Sequence, residues 1–173
     1  MTLRRPRQPA DPDSSQAAYL LSLRWLAARE LSEGQIRERL ARRGFSTRAI
    51  IPAIERLTGV RAVDDRRAAL AAARTDVNVH RRGPARVLHK LQEMRIDKDL
   101  ARDVVREVFG DVDERALMQR ALAKRLPTGA GGAGDSAQLR RLHAYLIRQG
   151  FSPSAAAALL RSRLGRSAVP DDE

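Results

Sequence analysis

Cysteine is absent from this 173-residue chain, which excludes disulfides and thiolate metal sites. The three histidines, His80, His89 and His143, show no metal-ligand spacing, so no metal or other cofactor is expected. Aromatics are few: one Trp, two Tyr and three Phe. Reading single-stranded nucleic acid by stacking wants exposed aromatic faces. Here Tyr19, Trp25, Phe45, Phe109, Tyr145 and Phe151 fall mostly on apolar stripes, so stacking is not the expected binding mode. Long apolar runs are missing too. Arg24 interrupts Ala17–Ala28, and Pro6, Pro9 and Pro12 precede it, which argues against a secretory signal. No segment approaches the roughly 18–20 apolar residues of a membrane span. The expectation is a cytoplasmic protein without membrane contact.

What is present in excess is positive charge. The chain carries 33 Lys and Arg against 21 Asp and Glu, a net +12, and all but Lys90, Lys98 and Lys124 of the basic residues are Arg. Such a field attracts a polyanion or an acidic protein surface. Arg can hold carboxylate or phosphate in a bidentate fork.

One pattern is written three times. Leu40-x-x-x-Gly44-Phe45-Ser46 returns as Leu91-x-x-x-Arg95-Ile96-Asp97 and as Leu146-x-x-x-Gly150-Phe151-Ser152, with leucines 51 and 55 residues apart. Ile36, Val87 and Leu142 stand four residues before each Leu. After each corner comes an apolar stripe at helical spacing: Ile50, Ile54, Leu57; Leu100, Val104, Val105, Val108; Ala156, Leu159, Leu160, Leu164. Repeats of this size are units of several helices that stack into an elongated body with a long functional face.

The predicted organisation is therefore all-α, with three tandem three-helix repeats. A disordered arm spans residues 1–16, and the repeats cover 17–62, 63–111 and 112–165. The third contains a Gly-rich loop at 128–134, and a disordered tail covers 166–173. In the first helix, Tyr19, Leu20, Leu23, Leu26 and Ala27 are assigned to one face. Ser32 with Gln35 forms a capping box, and Gly44 offers the left-handed stop. Ser46 caps the third helix, within which Pro52 predicts a kink or a delayed start. Asp64 or Asp65 caps a helix over about 65–80, and Pro84 opens the next at its first position. Asp97, Asp113 and Ser152-Pro153 start further helices.

Little points to catalysis. The pair Asp64-Asp65 lacks a third ligand at helical spacing except Asp76, and capping explains it better. Gly129–Gly134 lacks the Lys-Ser/Thr of a phosphate loop, and there is no nucleophile elbow. The chain is read as a non-enzyme. The live signal is Arg on helix faces. Arg39, Arg42 and Arg43 close the second helix, and Arg81, Arg82, Arg86 and Lys90 surround the start of the equivalent helix in the next repeat. Spacing places Arg82, Arg86 and Lys90 on one face, where like charges repel unless an anion lies against them.

The series Ala18-Tyr19-Leu20, Arg24, Leu31-Ser32, Ile36-x-x-x-Leu40-x-x-x-Gly44-Phe45, Ile54-x-x-Leu57, Asp64-Asp65 with Ala69, and Gly83-Pro84-x-Arg86-x-x-x-x-Leu91 resembles the RecX family. The resemblance spans about residues 17–164. It implies an elongated, curved array of three repeats lying in the groove of a RecA–DNA filament and inhibiting the recombinase. The basic side chains are expected to meet acidic protein surface and DNA phosphate, and the chain is expected to be a monomer. Ala68 stands where the family usually has an aromatic, and Gly34 and Pro52 are also departures. The alternative is a helix-turn-helix-like transcription regulator, since the second and third helices form a helix–turn–helix. The apolar Ile50, Ile51, Ile54 and Leu57 argue against a polar recognition helix there.

Overall fold

In the computed structural model, residues 9–123, 125 and 136–167 are described, with side chains as far as Ser162. Among them the chain is all-helical. The elements are α1 (Ser15–Leu26), α2 (Glu33–Arg43), α3 (Thr47–Gly59), α4 (Asp65–Asn78), α5 (Pro84–Glu93), α6 (Lys98–Gly110), α7 (Glu114–Leu122), α8 (Ser136–Arg148) and α9 (Pro153–Ser167). The Gly-rich segment 128–134, residues 1–8 and residues 168–173 lie outside the described residues.

Local hydrogen-bond chemistry sets the boundaries. Ser32 closes a capping box with Gln35, accepting from the Gln35 N–H at 3.1 Å while its own N–H donates to Gln35 Oε1 at 3.2 Å. Ser46, Asp97, Asp113 and Ser152 each accept a backbone N–H three residues on. Asp64, not Asp65, caps α4, accepting from the Arg67 N–H at 2.9 Å. All three corners of the repeated motif turn through left-handed backbone: Gly44 at φ 101°, Arg95 at φ 60° and Gly150 at φ 92°. Arg95 adopts there a conformation that costs a residue with a Cβ about 1–2 kcal/mol.

Four expectations need correction. The arm is ordered from Asp11 onward: the Asp13 N–H bonds Asp11 Oδ1, Ser14 caps α1, and the Ser46 N–H donates to the Pro12 carbonyl at 3.0 Å. The free backbone groups at the α3 start give these residues a place to bind. The buried face of α1 is centred on Ala18 and Ser22, whereas Leu20 is 47% exposed and Ala27 is exposed. Burying Ser22 is possible because its hydroxyl donates to the Ala18 carbonyl at 2.8 Å. Pro52 does not delay α3, which begins at Thr47, directly after its cap. Finally, the expected disordered tail does not take in residues 166 and 167, through which α9 continues.

The described chain divides into two compact units. One contains the residues to Ala71 together with Leu91–Ala101, and the other contains Ala72–Lys90 together with the residues from Arg102 onward. In the first, α1 and α2 pack on α3 around Leu31, Ile36, Leu40, Ala49 and Leu57, all fully buried. Each such Leu or Ile contributes about 1.5–3 kcal/mol through burial. In the second, α7, α8 and α9 pack around Leu117, Leu122, Leu146 and Leu159.

Both units are built on the same contact. In the first, the corner between α5 and α6 covers the start of α2: the Ser32 hydroxyl donates to the Met94 carbonyl, and Gly34 lies against Arg95. In the second, the corner between α8 and α9 covers the start of α5. There the Gly83 N–H donates to the Gln149 carbonyl at 2.8 Å and the Ala85 N–H to the Gly150 carbonyl at 3.1 Å. At the start of α5 free N–H groups are thereby satisfied by the next corner, whereas at the start of α2 the corner accepts the Ser32 hydroxyl and Asp65 takes the Glu33 N–H.

Candidate functional site

In the first unit the candidate cations lie on the last turns of α2. Arg39 is partly buried, with its guanidinium 5.8 Å from the Trp25 ring centroid, a cation–π geometry that holds it in place. Its pKa is lowered, first by burial and then by the positive charges of Arg29 and Arg42. These three cations therefore sit in one another's field. Arg42 makes a long 3.4 Å ion pair with Glu38 and is 70% exposed, so the pair neutralises little. Arg43 completes the helix end beside Gly44, where a cation also complements the helix dipole.

In the second unit the four expected cations are not arranged as the sequence suggested. Pro84 is the first residue of α5, so Arg81 and Arg82 precede the helix, and only Arg86 and Lys90 ride on it. Arg81 has left-handed backbone, φ 56°, and this turn swings Arg82 back toward α4. Arg82 Nη1 then meets both oxygens of Asp76, at 2.9 and 3.0 Å. Asp76 is only 6% exposed and Arg82 27%, so this is a sheltered ion pair rather than an open binding group. Arg82 therefore does not form a ladder with Arg86 and Lys90. Arg86 is exposed and Lys90 half-buried. Arg81 donates to the Arg120 carbonyl at 3.1 Å, and its residue lines a cleft of about 600 Å³ with Val79, His80, Ala121, Arg125 and Tyr145.

Arg125, Tyr145, Arg141 and Arg148 were not singled out by the sequence reading, yet they border this cleft or its neighbour. Their signal in the sequence was slight: Arg141 and Arg148 are two turns apart on α8, but nothing local shows that their hollow shares Arg125 and Tyr145 with the one beside residues 80 and 81. Two neighbouring carboxylates also have distinct tasks. Asp65, beside the α4 cap Asp64, accepts the Glu33 N–H at the start of α2 at 2.7 Å. Burial is the main cause raising the Asp65 pKa, with Glu33 and Asp64 adding to it and the hydrogen bond opposing it. This assignment leaves the pair as helix caps.

Aromatic faces are largely taken. Guanidinium groups lie over Trp25, Tyr19 and Tyr145, and Phe45 and Phe151 are buried. On α3, Ile50, Ile54 and Leu57 are buried and Arg56 lies 3.9 Å over Tyr19 while bonding Gln16. That face has little left with which to read base edges. Among the described residues no helix is long and apolar enough to cross a membrane.

Comparison with known proteins agrees with this architecture. Residues 18–57 match the family model described as RecX, first three-helix domain. A regulatory protein RecX from Syntrophotalea carbinolica is 32% identical over 136 residues, covering 78% of this chain and 88% of the relative. One from Chlorobium phaeobacteroides is 31% identical over 142 residues, covering 82% and 89%. The crystal structure of RecX from Lactobacillus salivarius shares the fold, with a TM-score of 0.74 at 19% identity over 89% of this chain and 98% of that one. With that identity sustained over most of both chains, and the corner motif and capped helix starts in place, this chain belongs to the RecX family of regulatory proteins.

Proposed function

We propose that this protein binds recombinase–DNA filaments of the RecA type and holds their activity down, acting by occupancy and not by catalysis. The observation that supports the reading best is the arrangement of Arg39. This guanidinium is held by Trp25 and partly desolvated, and it sits in the field of Arg29 and Arg42. An anionic partner relieves that repulsion, and pre-placed groups lose less freedom on binding. Acidic recombinase surface and DNA phosphate are the two anions a filament offers. Family membership supports a regulatory role, and the helix-turn-helix alternative is disfavoured by the buried face of α3.

The test is co-sedimentation with filaments of the matching RecA, with and without ATP hydrolysis, alongside strand-exchange and DNA-dependent ATPase assays. The protein is expected to pellet with filaments as a monomer and to suppress both activities at or below stoichiometric amounts. Unchanged activities at saturating protein overturn the reading.

A further inference from the structure

The second unit holds a basic cleft that neither the repeat pattern nor the family resemblance singles out. It consists of two adjoining hollows, of about 600 and 530 Å³, that share Arg125 and Tyr145. Around them stand His80, Arg81, Arg125, Arg141, Tyr145 and Arg148, with no carboxylate among the described lining residues. Two of the guanidinium groups are positioned in advance. Arg81 is tied to the Arg120 carbonyl, and Arg125 lies 4.3 Å from the Tyr145 ring centroid. Tyr145 is fixed in turn, because its hydroxyl donates to the Ala121 carbonyl at 3.4 Å.

We infer that this cleft binds the phosphodiester backbone of a nucleic acid strand. Three features favour that occupant over an acidic protein. The cations extend across two hollows in succession, as a run of phosphates requires and a single carboxylate does not. The Tyr145 ring is covered by Arg125, so the site offers charge and hydrogen bonds rather than a stacking platform. The first hollow is predominantly polar, and the apolar members of the described lining are only Val79, Ala121 and Leu142, so the cleft lacks the deep apolar pocket in which protein hot spots anchor. Phosphate contacts need no such pocket and give binding without sequence preference. The inference extends the filament reading by assigning direct nucleic-acid contact to this cleft, in the absence of any recombinase.

The test measures fluorescence anisotropy of a labelled mixed-sequence single-stranded DNA oligonucleotide against the full chain over a salt series, with no RecA present. The variant carrying Arg125→Gln, Arg141→Gln and Arg148→Gln is expected to bind more weakly. It should also flatten the dependence of log affinity on log salt by about two units, at roughly 0.7 per lost single-strand phosphate contact. The matching Arg→Lys triple, which keeps the charges, should retain the parent slope. Circular dichroism checks folding. If the Gln triple fails to fold, the exposed single changes R141Q and R148Q each serve, with an expected loss of about 0.7 in slope. An unchanged slope overturns the inference. If that unchanged slope is accompanied by weaker filament co-sedimentation, the cleft holds acidic protein instead. Because the DNA assay omits recombinase, its failure leaves the filament reading to stand or fall on its own test.

Discussion

Gly34 in the first turn of α2 and Arg95 at the next corner touch so closely that no side chain fits at position 34 while Arg95 holds the corner. A Cβ built on Gly34 would lie 2.3 Å from the Arg95 Cβ and 3.0 Å from its carbonyl oxygen. The glycine that a helix start should avoid is thus what admits a corner residue that is not glycine. Helix propensity favours Ala over Gly by about 1 kcal/mol, but this contact reverses the sign. Gly34→Ala should lower the melting temperature. Arg95→Gly should raise it, because it removes a left-handed cost of about 1–2 kcal/mol. The pair should be coupled, with Gly34→Ala less harmful when Arg95 is Gly. A higher melting temperature for G34A alone refutes the packing argument.

Arg82 is expected to matter for stability before it matters for binding. Removing it leaves the sheltered Asp76 carboxylate with only His80, 4.0 Å away, beside it, a loss of several kcal/mol in a dry interior. With Arg82 27% exposed, about 1–3 kcal/mol is the realistic figure. Urea denaturation of Arg82→Ala should show it, and Asp76→Asn combined with Arg82→Ala should recover part of the loss. Equal midpoints for parent and R82A would mean that the pair contributes nothing.

Arg86 and Lys90 carry the binding expectation that remains in this part of the chain. Arg86→Ala with Lys90→Ala should leave helicity unchanged and weaken filament co-sedimentation. On bare duplex DNA the same double variant should flatten the salt slope by up to about 1.8 if both contact phosphate, at roughly 0.9 each. Weaker filament binding at constant slope points to acidic recombinase residues. If filament binding is unchanged, these two residues are a solvated face.

Asp65 gives the molecule a pH dependence of known sign. Burial raises its pKa in the folded state, so folding takes up a proton between the ordinary value of about 3.9 and the raised one. Its favourable contribution is present below that window and is lost as pH rises through it. At neutral pH the ionised group is carried at a cost. Asp65→Asn keeps an oxygen for the Glu33 N–H without the charge, so it should match or exceed the parent at pH 7 and lose that advantage toward pH 3. Asp65→Ala lacks the acceptor and should cost about 1 kcal/mol at pH 7. A D65N variant less stable than the parent at every pH contradicts this account.

What was legible in the sequence was what short-range chemistry decides. Ser32, Ser46, Asp97, Asp113 and Ser152 announce helix starts because their side chains bond the backbone three residues on. Gly44 and Gly150 announce corners because their backbone is left-handed. What was hidden depends on where the chain goes after it turns. The left-handed step at Arg81 returns Arg82 to Asp76, which removed one expected binding residue from its helix. On α1 Tyr19, Leu23 and Leu26 do pack on the core, while Ser22 was missed because a buried hydroxyl satisfied by its own helix looks polar in sequence. The cleft around Tyr145 draws on residues from 79 to 148, and no local pattern joins them.

The corner contact also makes the period of the sequence and the period of folding run out of phase. A cut after residue 62, at the end of the first sequence repeat, removes Asp65, Met94 and Arg95 from the start of α2. A cut after 111 deprives the start of α5 of the Gln149 and Gly150 carbonyls. The middle helix of each of the first two sequence repeats is thus completed by a piece of the repeat that follows. Excised at its sequence borders, no repeat that has a successor keeps all of the bonds at its middle helix.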